Sequence, residues 1–233
     1  MTPLGRLAFF LGGAFLLASS AFRVVQMNHL GGVGDEYLST LMTLGPGAGG
    51  PRGRLSNNLH LAGVLSLAAG IVVFAVGIGG KGSVVGRRPL GLVALLVYGL
   101  APVVIWIATS EGPFPGRTNG GGTYVLWVVQ IVAGLIAAIE IARIGAVPGW
   151  ARFLPLTLFA VIVALMVMSP LVIFSHAFDP DYRGPSSLEI MMPTIILVTI
   201  APFVLGVTAI IVAAIAGRRG DSMVVGESAL PES

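Results

Sequence analysis

Six long apolar stretches, each closed off by polar or glycine-rich residues, make up most of this chain. They cover residues 7–22, 59–78, 90–109, 123–142, 153–174 and 190–216. A bilayer core about 30 Å thick is crossed by about 20 residues of α-helix, and five of the six stretches reach that length. In hydrocarbon each span has to satisfy its own backbone hydrogen bonds, which requires helix. None of the spans alternates apolar and polar residues with a period of two, so a β-barrel is not expected. The pattern predicts an all-α integral membrane protein, a bundle of six transmembrane helices.

The first span also admits another reading. "MTPLGR" is a short basic lead, "LAFFLGGAFLLA" an apolar run and "ASS" a small-residue ending, close to a secretory signal peptide. Cleavage there would leave five helices. The apolar run continues to Phe22, and Val24 and Val25 follow Arg23, which favours a retained helix.

Two connections are long. Within residues 23–58, the segment "DEYLSTLMTLGP" sets Tyr37, Leu38, Leu41, Met42 and Leu44 on one helical face, with Asp35 at the cap position and Gly45-Pro46 as a stop. This predicts a short amphipathic helix in the first outer loop, either an interfacial anchor or a lid over an outward-facing cavity. Within residues 175–189, "DPDYRG" is turn chemistry, and Ser186 to Glu189 has the spacing of a capping box before the last apolar run.

Composition agrees with the pattern. Charged residues are 10% of the 233, against about 25% in soluble domains, and the mean hydropathy is +0.95. So little charge cannot cover a water-facing surface. The net charge of +3 is too small and too scattered for nucleic acid. Without cysteine there are neither disulfides nor thiolate ligands.

In a membrane protein basic residues report orientation. If the N-terminus is cytoplasmic, Arg6, Lys81, Arg87, Arg88, Arg143, Arg152, Arg218 and Arg219 lie inside, in short segments. Arg23, Arg52, Arg54, Arg117 and Arg183 lie outside, in longer ones. This predicts both termini in the cytoplasm. The polytopic domain is expected to cover residues 1–219, followed by a short disordered cytoplasmic tail, 220–233. Heavy use of Gly, Ala, Val and Arg points to a bacterial source of high genomic GC content, and hence to the bacterial inner membrane.

Chemistry-bearing residues are few. The middle thirds of the predicted spans contain no Asp, Glu, Lys, Arg or His, the residues that mark function at membrane depth. Glu140 and Arg143, three residues apart near the inner end of the fourth helix, form a candidate ion pair at the membrane interface. Gln130 in the same helix is expected to bond across a helix interface. His60, His176, Asp179 and Asp181 form a candidate outer polar cluster. A transition-metal site there would depend wholly on tertiary folding, because no two histidines stand at ligand spacing. No metal or cofactor is assigned: no histidine lies deep enough in a span to hold a b-type haem, and the nucleophile-elbow, zincin and phosphate-loop motifs are absent.

Small residues suggest close packing. Gly63, Gly70 and Gly77 recur every seventh residue, Gly134 precedes Ala138 by one turn, and Gly206, Ala209 and Ala213 form a similar stripe. Pro102 and Pro202 interrupt helices in similar contexts, "LVYGLAPVV" and "LVTIAPFVL", a hint of the broken helices of transporters. Three function classes follow. The first is a non-enzymatic scaffold or accessory subunit of a membrane complex, partnered by lipid, a membrane protein or a second copy of the chain. The second is a small transporter or binder of an apolar or lipid-like molecule, and the third an intramembrane enzyme using the outer His and Asp residues.

The orientation is testable in this cysteine-free chain. Single cysteines at Gly82 and Ser222 are expected to resist a membrane-impermeant thiol reagent in intact cells and to react after lysis. Labelling before lysis would reverse the orientation.

Overall fold

The computed structural model describes residues 2–29, 51–77, 83–85, 88–110, 120–144, 147, 149–176 and 187–227. Among them are six helices long and apolar enough to cross a membrane, and no strand. They are α1 (Pro3–His29), α2 (Pro51–Val76), α3 (Pro89–Ser110), α4 (Gly120–Ile144), α5 (Leu154–His176) and α6 (Ser187–Glu227). A short 3₁₀ helix (Gly149–Phe153) leads into α5. The fold is an all-α membrane bundle. The predicted amphipathic segment, with Tyr37, Leu38, Leu41, Met42 and Leu44, lies outside the described residues.

Each helix packs on its chain neighbours, and α6 returns to α1, so the six close into a ring. Lipid tails are as apolar as leucine, so close packing and polar contacts have to hold such a ring together. Glycine supplies the packing. A Cβ on Gly206 would stand 2.7 Å from the Gly13 carbonyl oxygen, and one on Gly13 would stand 2.7 Å from that of Gly206. α1 and α6 therefore touch backbone to backbone. A Cβ on Gly70 would lie 3.0 Å from the Gly12 carbonyl oxygen, which brings α2 against α1 in the same way.

Buried polar bonds add to both contacts. The Ser20 hydroxyl donates to the Thr199 carbonyl at 3.1 Å, joining α1 to α6. The Gln26 amide donates to the Ser56 hydroxyl at 3.2 Å, joining α1 to α2.

Of the seven-residue glycine stripe, Gly63 and Gly70 face α1. Gly77 has a different task. Its φ of 71° places it in the left-handed region and ends α2. Ser83 and Val84 lie beneath the end of the helix. The Val84 amide donates to the Phe74 carbonyl at 3.0 Å and the Ser83 hydroxyl to the Ala75 carbonyl at 2.6 Å, so orphan carbonyls of the last turn find partners.

α5 is the outlier. Only 6% of its span is buried, against 33–39% for the other five. It packs on α4 and α6 less extensively than α1 packs on its neighbours.

Helix boundaries differ from the sequence reading in α1, α2 and α6. α1 does not stop at Phe22 but continues through Arg23 to His29. The reading ended it at a charge, whereas a guanidinium can stay helical when it faces the bundle. α6 continues past residue 219 to Glu227, with no proline between Arg218 and that point to stop it.

The ring closure can be tested with two alanines. Gly206→Ala has to force two backbones apart and is expected to destabilise by about 1–3 kcal/mol. A Cβ on Gly63 meets nothing nearer than 3.5 Å. Gly63→Ala is therefore expected to be neutral, or stabilising by up to about 1 kcal/mol through helix propensity. Thermal melts of both variants in one detergent make the comparison, and equal melts would remove the closure argument.

Candidate functional site

The ring surrounds a partly open cavity of about 400 Å³ to which all six helices contribute side chains. Most of the lining is aliphatic or aromatic. Tyr98 and Thr208 line its deeper part, and the remaining polar groups gather towards one end. Arg23 on α1, His60 on α2, Gln130 on α4, Ser169 on α5 and Thr194 on α6 all line the cavity within about three turns of the helix ends on one side of the bundle. The opposite end is formed by Val84, Val147 and Ala151, all buried. The site is an apolar shaft with a polar layer at one end.

Local structure explains the layer. α2 begins at Pro51, so His60 lies more than two turns inside it and is only 7% exposed. Sequence reading had put His60 at the membrane interface, because the apolar run starts only one residue before it. The Nε2 of His60 has no hydrogen-bond partner among the described residues. Arg23 lies close enough to act electrostatically on both His60 and Tyr98. Ser169 donates to the Leu165 carbonyl at 2.8 Å and stands 3.4 Å from the Thr194 hydroxyl. Part of the layer is thus internally bonded, while His60 keeps an unused polar atom.

Farther down the shaft, Tyr98 and Phe159 meet edge to face, with centroids 6.0 Å apart. The contact is possible because Gly134 leaves the space. A Cβ there would stand 2.5 Å from Phe159 and 2.9 Å from Tyr98. Pro102 and Pro202 also line the cavity, from helices of opposite direction. Proline lacks an amide hydrogen, so the carbonyls of Tyr98 and Val198 lose their helical donor.

The predicted site residues separate. Of the outer cluster, His60 lines the cavity. The side chains of His176, Asp179 and Asp181 lie outside the described residues. Among the described residues no three His, Asp or Glu side chains gather as metal ligands would.

The predicted Glu140–Arg143 pair is corrected. The Glu140 carboxylate accepts from Arg88 at 3.4 Å, while the Arg143 side chain is exposed. The reason is local. Gly91 lies against Glu140, where its own Cβ would be 3.2 Å from that of Glu140. This lets the acidic side chain turn towards the start of α3, where the helix dipole also favours it. The bridge ties α3 to α4 on the Val84 side of the bundle.

The residue that sequence reasoning missed is Arg23. It was placed in an outer loop, yet it lies within the first span, Pro3–Asn28, and lines the cavity. One signal was present: Val24 and Val25 after the charge and Gln26 beyond them extend the helical pattern.

No family model, curated protein or solved structure matches this chain.

The ion-pair correction yields a measurement. Arg88 is 63% exposed on its side chain, so solvent weakens the bridge, and its coupling energy is expected to be roughly 0.2–1 kcal/mol. A double-mutant cycle on Arg88 and Glu140 should return that value, and one on Arg143 and Glu140 about zero.

Proposed function

We propose that this membrane protein binds an apolar, lipid-like molecule inside its six-helix ring and exchanges it with the surrounding bilayer. The observation that supports this reading is the cavity. Left without an occupant, a space of that size forfeits packing contacts along all its lining. Water is a poor occupant for a shaft with so few polar partners. Hydrocarbon suits it, and the volume falls within the usual range for small-molecule sites, about 300–1,000 Å³.

A scaffold or accessory subunit, the class put first on sequence grounds, has no need of such a space and gains stability by filling it. The sparse packing of α5 supports exchange as well as binding. Its cavity-facing residues, among them Leu158, Ile162 and Met166, form a wall that can part with little loss of protein contact. We place the protein in the cell membrane of a bacterium with both termini in the cytoplasm, which puts the polar end of the shaft on the outer side. That assignment rests on the distribution of Lys and Arg.

Native mass spectrometry of the protein in lipid nanodiscs tests the reading. The wild type is expected to keep one single-chain amphiphile or free hydrocarbon-rich molecule through activation that strips annular lipid. Val163 lines the shaft from α5 and is only half-buried, so added bulk can be accommodated. Val163→Trp is expected to lower retention at least tenfold with little change in the melt. Equal retention in the two proteins, or none in the wild type, would overturn the proposal.

A further inference from the structure

The proposed function leaves open what distinguishes one lipid-like molecule from another, and the polar layer answers that question. A chain that leaves the bilayer for the shaft passes from one apolar solvent to another. It gains packing contacts but no hydrophobic transfer energy. Selectivity therefore has to come from the head of the ligand, where the layer lies. His60 is more than nine-tenths buried and lines the cavity, and its Nε2 is unpartnered among the described residues. A polar atom left so at membrane depth is costly until something bonds it.

Arg23 lines the same cavity, and its stem lies 3.8 Å from where a Cβ on Gly63, less than a turn from His60 on α2, would stand. Among the described residues lining the cavity Arg23 is the basic one, and no carboxylate lines it. A guanidinium has five donor hydrogens, so an anion can join whatever contacts Arg23 already makes. Gln130 adds amide donors to the same layer.

Shape limits the tail. His60 and Phe74 both line the cavity, and at a helical rise of about 1.5 Å per residue they are about 21 Å apart along α2. That length suits an extended hydrocarbon tail lying along the helices.

We infer that the shaft takes an amphiphile with an anionic head, its carboxylate or phosphate monoester held at Arg23 and His60 and its tail directed towards Val84, Val147 and Ala151. This deepens the proposed function and rests on it. The two anionic heads share the chemistry the layer recognises: a compact negative charge with several acceptor oxygens.

The experiment uses the full chain in nanodiscs of phosphatidylcholine, with native mass spectrometry to count bound probe at equal mole fraction in the disc. The probes carry one common long alkyl chain and differ only in the head: carboxylic acid, phosphate monoester, methyl ester or primary amine. The acid, the phosphate or both are expected to bind at least tenfold more tightly than ester and amine. A difference between acid and phosphate identifies which of the two heads fits, and either result supports the inference.

His60→Phe and Arg23→Gln are each expected to bring the acid-to-ester ratio close to one. Val163→Trp is expected to remove all four probes. Thermal melts establish that each variant is folded, and if one is not, the other carries the comparison. Equal binding of acid and ester to the wild type overturns the anionic-head inference and leaves the proposed function standing. A preference that survives in every folded variant of the two residues overturns the assignment to Arg23 and His60. Failure of all probes, with no retained molecule in the untreated protein, overturns the proposed function itself.

Discussion

Two helices that meet without side chains between them set the form of this protein. At Gly13 and Gly206 the backbones of α1 and α6 approach so closely that neither position has room for a methyl group. In water such a contact would be one of many, helped by the expulsion of solvent from all the rest. In lipid that help is missing, and the closest contacts carry proportionately more of the association. The first and last spans are thereby held together, and helices that would otherwise form an open row become a ring with an interior.

What fills the interior follows from where bulk is placed. Glycines and alanines sit where helices meet, and the larger side chains at the seams, such as Phe74 against Gly12, lie over glycine. Toward the centre, α5 stands off from its neighbours, and the remaining space becomes the shaft. The protein is thus tightly built along α1, α2 and α6 and loosely built along α5. A binding site that has to release its contents needs both: a frame that holds its shape and a wall that yields.

Most of the fold was legible in the sequence, because bilayer thickness turns hydropathy directly into helices. The six spans and the role of Gly63 and Gly70 in close packing belong to that part. The site was much less legible. Arg23 was read as the end of a helix because a charge lowers hydropathy whichever way it points, and one chain does not reveal which face looks inward. His60 was read as interfacial for a similar reason, since the polar first turns of α2 hide its true start at Pro51. Glu140 was assigned the nearest cation in sequence, Arg143, when a glycine on the facing helix had opened the way to Arg88. In each case the missing information was tertiary: which helix lies opposite, and how near it comes.

The spans are also unequal in length, and that has a mechanical consequence. The apolar stretch in α3, residues 90–109, has 20 residues, and the one in α6, residues 190–216, has 27. At about 1.5 Å per residue these are about 30 and about 40 Å long. A hydrocarbon layer of about 30 Å fits the first nearly upright. The second fits only by leaning roughly 40° or by keeping its ends among the head groups. A thicker bilayer would bring α6 upright and leave α3 stretched, so the two sides of the ring answer the same membrane in opposite senses. Because α1 is locked to α6, it has to follow, and the bore between that pair and α3 changes with it. The ring's geometry is thereby tied to the thickness of the layer that surrounds it.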